Sequence, residues 1–234
     1  MELHKIACAR SGFTQKFGIP RQSRTDSALL TRIVFEPKYR VREALRGIDG
    51  FSHLWLIWGF SQNEPAADWS PTVRPPRLGG NTRMGVFATR SPFRPNALGL
   101  TSVELVQVEE TPEEGLTLLV RGADLLDGTP IYDIKPYLSF TDAHSNAKNG
   151  FAEPPKDYHL PVEWTPEAET EMRACEIENP TKNLKRAFEE ILSQDPRPAY
   201  QDDPERLYGL EFDGFEAHFR VVQNKVLVTD VRKK

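Results

Sequence analysis

Residues 100–126 read LTSVELVQVEETPEEGLTLLVRGADLL, two apolar, β-branched runs on either side of a turn at Glu113-Glu114-Gly115. Runs of this kind, bounded by Gly, Pro or Asp, predict short strands. Four further segments share the pattern: KIACARSGF (5–13), ALLTRIVFEP (28–37), FSHLWLIWGF (51–60) and MGVFATR (84–90). YRVREALR (39–46) predicts a short helix. The regular alternation of strand and helix that a doubly wound sheet needs is missing. Residues 1–140 are therefore expected to be mainly β, as a barrel or sandwich.

Residues 141–161 are polar and proline-bearing, which predicts a linker. A small α+β unit is expected over 162–234. Its first helix is PEAETEMRACEIE, with Thr165 as N-cap, Pro166 at the first helical position and Asn179-Pro180 as the stop. TKNLKRAFEEILSQ follows, with Leu184, Phe188, Ile191 and Leu192 at helical spacing. Residues 206–232 predict strands with tight turns at Asp213-Gly214 and Gln223-Asn224.

Composition narrows the function classes. The chain has 234 residues, 38% hydrophobic and 10% aromatic, enough for a packed core. It holds no apolar run long enough to span a membrane, and its first residues lack a signal-peptide core. Cys8 and Cys175 match no metal or redox spacing and are expected as free or buried thiols in a reducing cytosol. Clustered Asp124, Asp127 and Asp133 do not follow the calcium-loop pattern, so no metal is expected.

Charge is distributed unevenly. The net charge is −4, yet residues 71–100, PTVRPPRLGGNTRMGVFATRSPFRPNALGL, hold five arginines and no acidic residue. Five prolines and four glycines shape the same stretch. Gly79-Gly80 permits backbone that other residues avoid, and each proline restricts itself and its predecessor. A shaped loop with fixed cations suits a multiply charged anion. Within it, ATRSPFRPN places Arg90 and Arg94 four apart around Pro92. That turn fixes guanidinium groups for carboxylate or phosphate, or for structural salt bridges with the acidic C-terminal part.

Other constellations are open to two readings. Arg21 and Gln22 in GIPRQ orient a carboxylate or base edge, or form an ordinary turn. Ser61-Gln62-Asn63 sit where an apolar strand runs out. Asp127-Gly128-Thr129-Pro130 reads as a turn offering backbone groups to an adenosine-like ligand. In DPRPAY, two prolines flank Arg197, and Tyr200 offers an aromatic face for an unpaired base; the plain reading is a helix stop. No P-loop, GxGxxG or Ser-His-Asp order is present.

These motifs in this order (PRQ, GFSHLW, RPPRLGGNTRMGVFATRSPFRPN, DLLDGTP, DIKPY, DPRPAY) resemble the TsaA-like, or TrmO, family of tRNA N6-threonylcarbamoyladenosine methyltransferases. The resemblance covers nearly the whole chain. It implies an antiparallel β-barrel domain binding S-adenosylmethionine, a small C-terminal domain, a cytoplasmic homodimer, and tRNA as partner through the anticodon stem-loop. Carried over by motif, the methyl donor contacts Pro20, Arg21, Gln22, Ser61, Gln62, Arg90, Leu100 and Asp127, Gly128, Thr129 and Pro130. Ser61 departs from the His of related bacterial members, so its contact is expected through backbone.

The chemistry assigns further roles. The acceptor nitrogen is poorly basic, so a base or strong alignment is needed; Asp133, Asp195 and Tyr200 are unranked candidates. Arg74, Arg77, Arg83, Arg94 and Arg197 are expected on RNA phosphates, the threonyl carboxylate or a base. Two other classes remain open: a non-catalytic RNA-binding adaptor with a nucleotide pocket, and an enzyme for another small anionic substrate.

Overall fold

A computed structural model describes residues 2–20, 27–62, 69–75, 78, 81–152, 159–197 and 203–234. The strands of the N-terminal part are β1 (Ala7–Arg10), β2 (Leu30–Phe35), β3 (His53–Gly59), β4 (Thr72–Val73), β5 (Met84–Gly85), β6 (Leu98–Thr111), β7 (Gly115–Arg121) and β8 (Pro130–Pro136). A one-turn helix, α1 (Ser139–Asp142), follows. The C-terminal part holds β9 (Val162–Trp164), α2 (Pro166–Glu178), α3 (Leu184–Ser193), β10 (Tyr208–Phe212), β11 (Phe215–Val222) and β12 (Lys225–Lys233).

Six strands pair in the order β1-β2-β7-β6-β3-β8, and β8 pairs back onto β1, so the sheet closes on itself. β1 runs antiparallel to β2 and β8, and β3 antiparallel to β6 and β8. Closure leaves no unpaired edge to attract another strand. Side-chain alternation gives the ring two faces. On β3, Leu54 and Leu56 are fully buried with Val103, Leu118, Val120 and Ile131, while Trp55 and Ile57 point the other way and stay half-exposed. Gly99 of β6 is required by a close approach: a Cβ there would lie 2.2 Å from the Trp58 indole. That indole donates to the Thr101 hydroxyl at 2.9 Å.

The C-terminal sheet runs β10-β11-β12-β9, antiparallel except for the β12–β9 edge. Its hairpins turn at Asp213-Gly214 and Gln223-Asn224, with positive φ at all four residues, as two-residue hairpins require. Thr165 caps α2 by accepting from the Ala168 amide at 3.2 Å. α3 lays Leu184, Phe188, Ile191 and Leu192 into a core with Phe215 and Phe219. Each such large side chain contributes about 1.5–3 kcal/mol by burial.

The chain divides into two compact units, and neither is one stretch of sequence. The first comprises Met1–Arg10, Arg32–Val120 and Gly128–Pro154; the second, Ser11–Thr31, Arg121–Asp127 and Pro155–Lys234. In this division Ser11–Thr31 and Arg121–Asp127 group with the C-terminal residues. Phe13 and Leu29 are buried in the α2–α3 core, which draws the early segment into the second unit.

Two local expectations differ. MGVFATR is a strand only at Met84–Gly85; Val86–Ala88 is a 3-10 turn capped at Thr89. YRVREALR gives two 3-10 turns, Pro37–Tyr39 and Arg42–Leu45, rather than one helix. Within DGTPIYDIKPY the strand β8 covers Pro130–Pro136, with its two prolines at the ends.

Candidate functional site

In the first unit, the outer face of β6, β3 and β8 forms the floor of a hollow. Register places Leu100 opposite Ile57, and Trp55 opposite Lys135. Since side chains on one face repeat every second residue, these four share the surface turned away from the buried leucines. Thr141, Asp142 and His144 close one side, giving a hollow of about 360 Å³. Asp142 fastens that side: its carboxylate accepts from the Trp55 indole and the Leu138 amide, both at 2.9 Å. The Leu138 amide first, and then the indole, hold its pKa below the usual carboxylate range. Asp133 is opposite Ile57 in register, accepts from the Ile134 amide at 3.0 Å, and pairs with Lys135 at 3.0 Å.

Leu100 is 57% exposed although it is paired within β6, so this hollow leaves an apolar wall uncovered. Ser61 and Gln62 occupy an exposed turn just after β3. At the start of β8, Thr129 is buried and its carbonyl accepts from the Ala9 amide at 2.9 Å, while the Gly128 amide donates to the Ala9 carbonyl at 2.8 Å. Gly128 has φ +78, with open space where a Cβ would stand. Pro130 pairs with Cys8.

The arginine-rich segment also belongs to the first unit. Thr89 organises its turn: its amide and hydroxyl both donate to the Val86 carbonyl, and its hydroxyl accepts from the Ser91 amide at 3.2 Å. The Arg94 guanidinium donates to the Thr89 carbonyl at 3.2 Å, so backbone rather than a carboxylate positions it. Arg74, Arg83 and Arg90 are exposed. Among the described residues no carboxylate pairs with Arg74 or Arg83.

In the second unit, the Asp127 carboxylate accepts from the Ser11 amide at 3.1 Å, and its own amide donates to the Phe13 carbonyl at 2.8 Å. Pro20 is half-buried and follows Ile19, which packs on the core. Asp195, at φ +49, takes a two-pronged contact from Arg197, Nε at 2.8 Å and Nη2 at 3.0 Å. These two DPRPAY residues therefore hold each other. Arg21, Gln22, Arg77 and Tyr200 lie outside the described residues, as do Asn63 and the Gly79-Gly80 pair.

The hollow itself is the feature that reading the sequence missed. Alternation within FSHLWLIWGF carries half the signal, because it sets Trp55 and Ile57 opposite Leu54 and Leu56. Cross-strand register carries the other half. Cys8 and Cys175 are both free thiols, and burial pushes the Cys175 thiol up. Among the described residues no helix is long and apolar enough to cross a membrane, and no group of three His, Cys, Asp or Glu is placed to hold a metal.

Comparison with known proteins defines the class first. Two domain models match in chain order, the tRNA-methyltransferase O N-terminal domain over residues 8–143 and the TrmO C-terminal domain over 157–234. The chain belongs to the tRNA-methyltransferase O (TrmO) family. It is 39% identical over 222 residues to the tRNA (adenine(37)-N6)-methyltransferase of Escherichia coli K12, covering 94% of this chain and 93% of that protein. The enzyme of the same name from Eikenella corrodens is 48% identical over 181 residues, 77% of this chain and 97% of that protein. A crystal structure of TrmO from Pseudomonas aeruginosa superposes with a TM-score of 0.81 at 32% identity, covering 99% of this chain and 98% of that one.

Proposed function

We propose that this protein methylates N6 of the adenosine at position 37 of tRNA, using S-adenosylmethionine, and that its substrate is the N6-threonylcarbamoyl form of that adenosine. The near end-to-end similarity to the Escherichia coli enzyme carries the reading. The closed ring of strands is then the β-barrel scaffold of a cytoplasmic methyltransferase, and the expected homodimer belongs to the same reading.

The hollow in the first unit suits part of the methyl donor. Leu100, Ile57 and Trp55 offer apolar walls for a purine or thioether, and Lys135, Thr141 and His144 offer polar edges. The donor supplies an electrophilic methyl group, and the chain supplies position. By family motif alone, the donor's carboxylate is assigned to Arg21 or Arg90, and Pro20, Gln22, Ser61, Gln62 and residues 127–130 are assigned to the donor on the same ground. Asp133 is the favoured proton acceptor because it shares the outer sheet face with Ile57 and Lys135. Asp195 is held in a largely buried pair with Arg197, whereas the Asp133–Lys135 pair is open to solvent. Arg74, Arg77, Arg83 and Arg94 hold phosphates or the threonyl carboxylate.

The test is transfer of labelled methyl from S-adenosylmethionine to tRNA with and without the threonylcarbamoyl group, followed by nucleoside mass analysis. Label on the modified adenosine alone supports the reading; label on unmodified tRNA removes the threonylcarbamoyl requirement. Arg90→Ala should abolish transfer while circular dichroism stays unchanged. Normal turnover in that variant would remove its assigned role.

A further inference from the structure

One surface of the arginine-rich segment has no role in the transfer described above. Trp69 and Phe87 flank the short β4–β5 ladder, in which Thr72 pairs with Gly85 and Val73 with Met84. The Val86 amide donates to the Pro71 carbonyl at 2.9 Å, which ties the two flanks together. The ring centroids stand 5.9 Å apart with 34° between planes. Trp69 is 50% exposed and Phe87 71%, while Val86 between them and the core is 1% exposed. The backbone is therefore anchored and the rings stand out from it. Aromatic side chains of this size normally bury their area, so two adjacent open rings on a pinned backbone form an apolar patch of the kind that marks a binding surface.

Charge indicates which occupant. Arg74 directly follows β4 and Arg83 directly precedes β5, so both cations lie at the end of the ladder opposite the rings. Arg94 is fastened to Thr89, two residues beyond Phe87. Residues 71–100 contain no Asp or Glu. We propose that Trp69 and Phe87 form a stacking platform for unpaired RNA bases, with Arg74 and Arg83 on the flanking phosphates. The inference rests on tRNA being the substrate and adds how its loop is held away from the reacting atom.

Unpaired bases fit this surface because each offers a flat π face, and cations spaced along the strand track its backbone. A paired duplex hides those faces. A second copy of this chain would bring the same arginines against these, which opposes association.

The experiment measures equilibrium binding of the full chain to an anticodon stem-loop RNA and to a fully paired duplex of equal length, at fixed salt. Trp69→Ala and Phe87→Ala are compared with the ring-retaining Trp69→Phe and Phe87→Tyr. Each alanine variant should bind the stem-loop about tenfold more weakly while duplex binding and the ring-retaining variants stay within about twofold of wild type. Wild-type stem-loop affinity in both alanine variants overturns the platform. Equal weakening for stem-loop and duplex overturns it as well. So does unchanged RNA affinity with a shift from dimer to monomer in sedimentation, which would make the rings an interface between copies. Methyl transfer is scored separately. Transfer by the wild type with insensitive alanine variants sinks the platform alone, sensitive binding without transfer sinks the enzymatic reading alone, and no RNA binding sinks both.

Discussion

Basic side chains of the second unit and of the arginine-rich segment live in opposite settings. In the second unit, Lys185 meets Glu169 at 2.6 Å, Lys225 meets Glu163 at 2.5 Å, Arg232 meets Glu216 at 2.5 Å and Arg197 is gripped by Asp195. Glu216 raises the Arg232 pKa further. In the arginine-rich segment, Arg94 is held by a backbone carbonyl, and Arg74 and Arg83 face no carboxylate among the described residues, whereas elsewhere in the first unit Arg32 approaches Glu109 and Lys135 pairs with Asp133. Aromatic rings of these two regions show the same contrast: Phe188 and Phe219 are fully buried, whereas Trp69 and Phe87 stand open. A paired charge is nearly neutral at a distance, while an unpaired row keeps its field for a ligand. The same residue types thus tie the second unit together and stand open in the arginine-rich segment and beside it.

The contrast can be broken at several points. Phe219→Ala should lower unfolding free energy by about 3–5 kcal/mol, because it opens a cavity in the α2–α3 core. Phe87→Ala should stay within about 0.5 kcal/mol in the same urea titration. Comparable destabilisation at both positions would erase the distinction between buried and open rings.

Next in size is Arg197→Ala. It removes a two-pronged contact between largely buried partners and should cost about 1.5–3 kcal/mol. If chemical denaturation shows full stability while RNA binding collapses, Arg197 is a ligand contact rather than a strap.

A smaller effect concerns acid. Asp142 has a folded-state pKa below its unfolded value, so its contribution is complete above the unfolded pKa and fades as pH falls through the folded one. Asp142→Asn should flatten the acid limb of the stability curve in that window. An identical acid limb in the variant would show that the Leu138 and Trp55 hydrogen bonds do not discriminate between the charged and neutral carboxyl.

The smallest effect on stability belongs to Arg74→Ala and Arg83→Ala, each within about 0.5 kcal/mol. Their signature is electrostatic: removing one arginine from a phosphate should reduce the salt slope of RNA binding by about 1. An unchanged slope would place them off the RNA path.

What was readable in the sequence follows the range of the interactions. Thr165 with Pro166, the 184–192 spacing and the two positive-φ hairpin turns are local devices, and each appears where its chemistry points. MGVFATR failed as a strand because only two of its residues find partners, and pairing is not a property of one segment. The outer-face hollow needed the register of β6, β3 and β8 together, which no single run of residues encodes. The arginine-rich loop was legible as charge, but the placement of Trp69 beside Phe87 depended on the β4–β5 pairing and the hydrogen bond between residues 71 and 86.

The burial of Phe13 against Phe212, ring centroids 5.1 Å apart, sets an order of events during synthesis. Roughly two hundred residues separate the two rings, so at about 5–20 residues per second the first waits on the order of ten to forty seconds for the second. Throughout that interval Phe13 and Leu29 are nascent apolar surface outside the ribosome, and chaperone occupancy of the first thirty residues should persist until α3 and β10 have emerged.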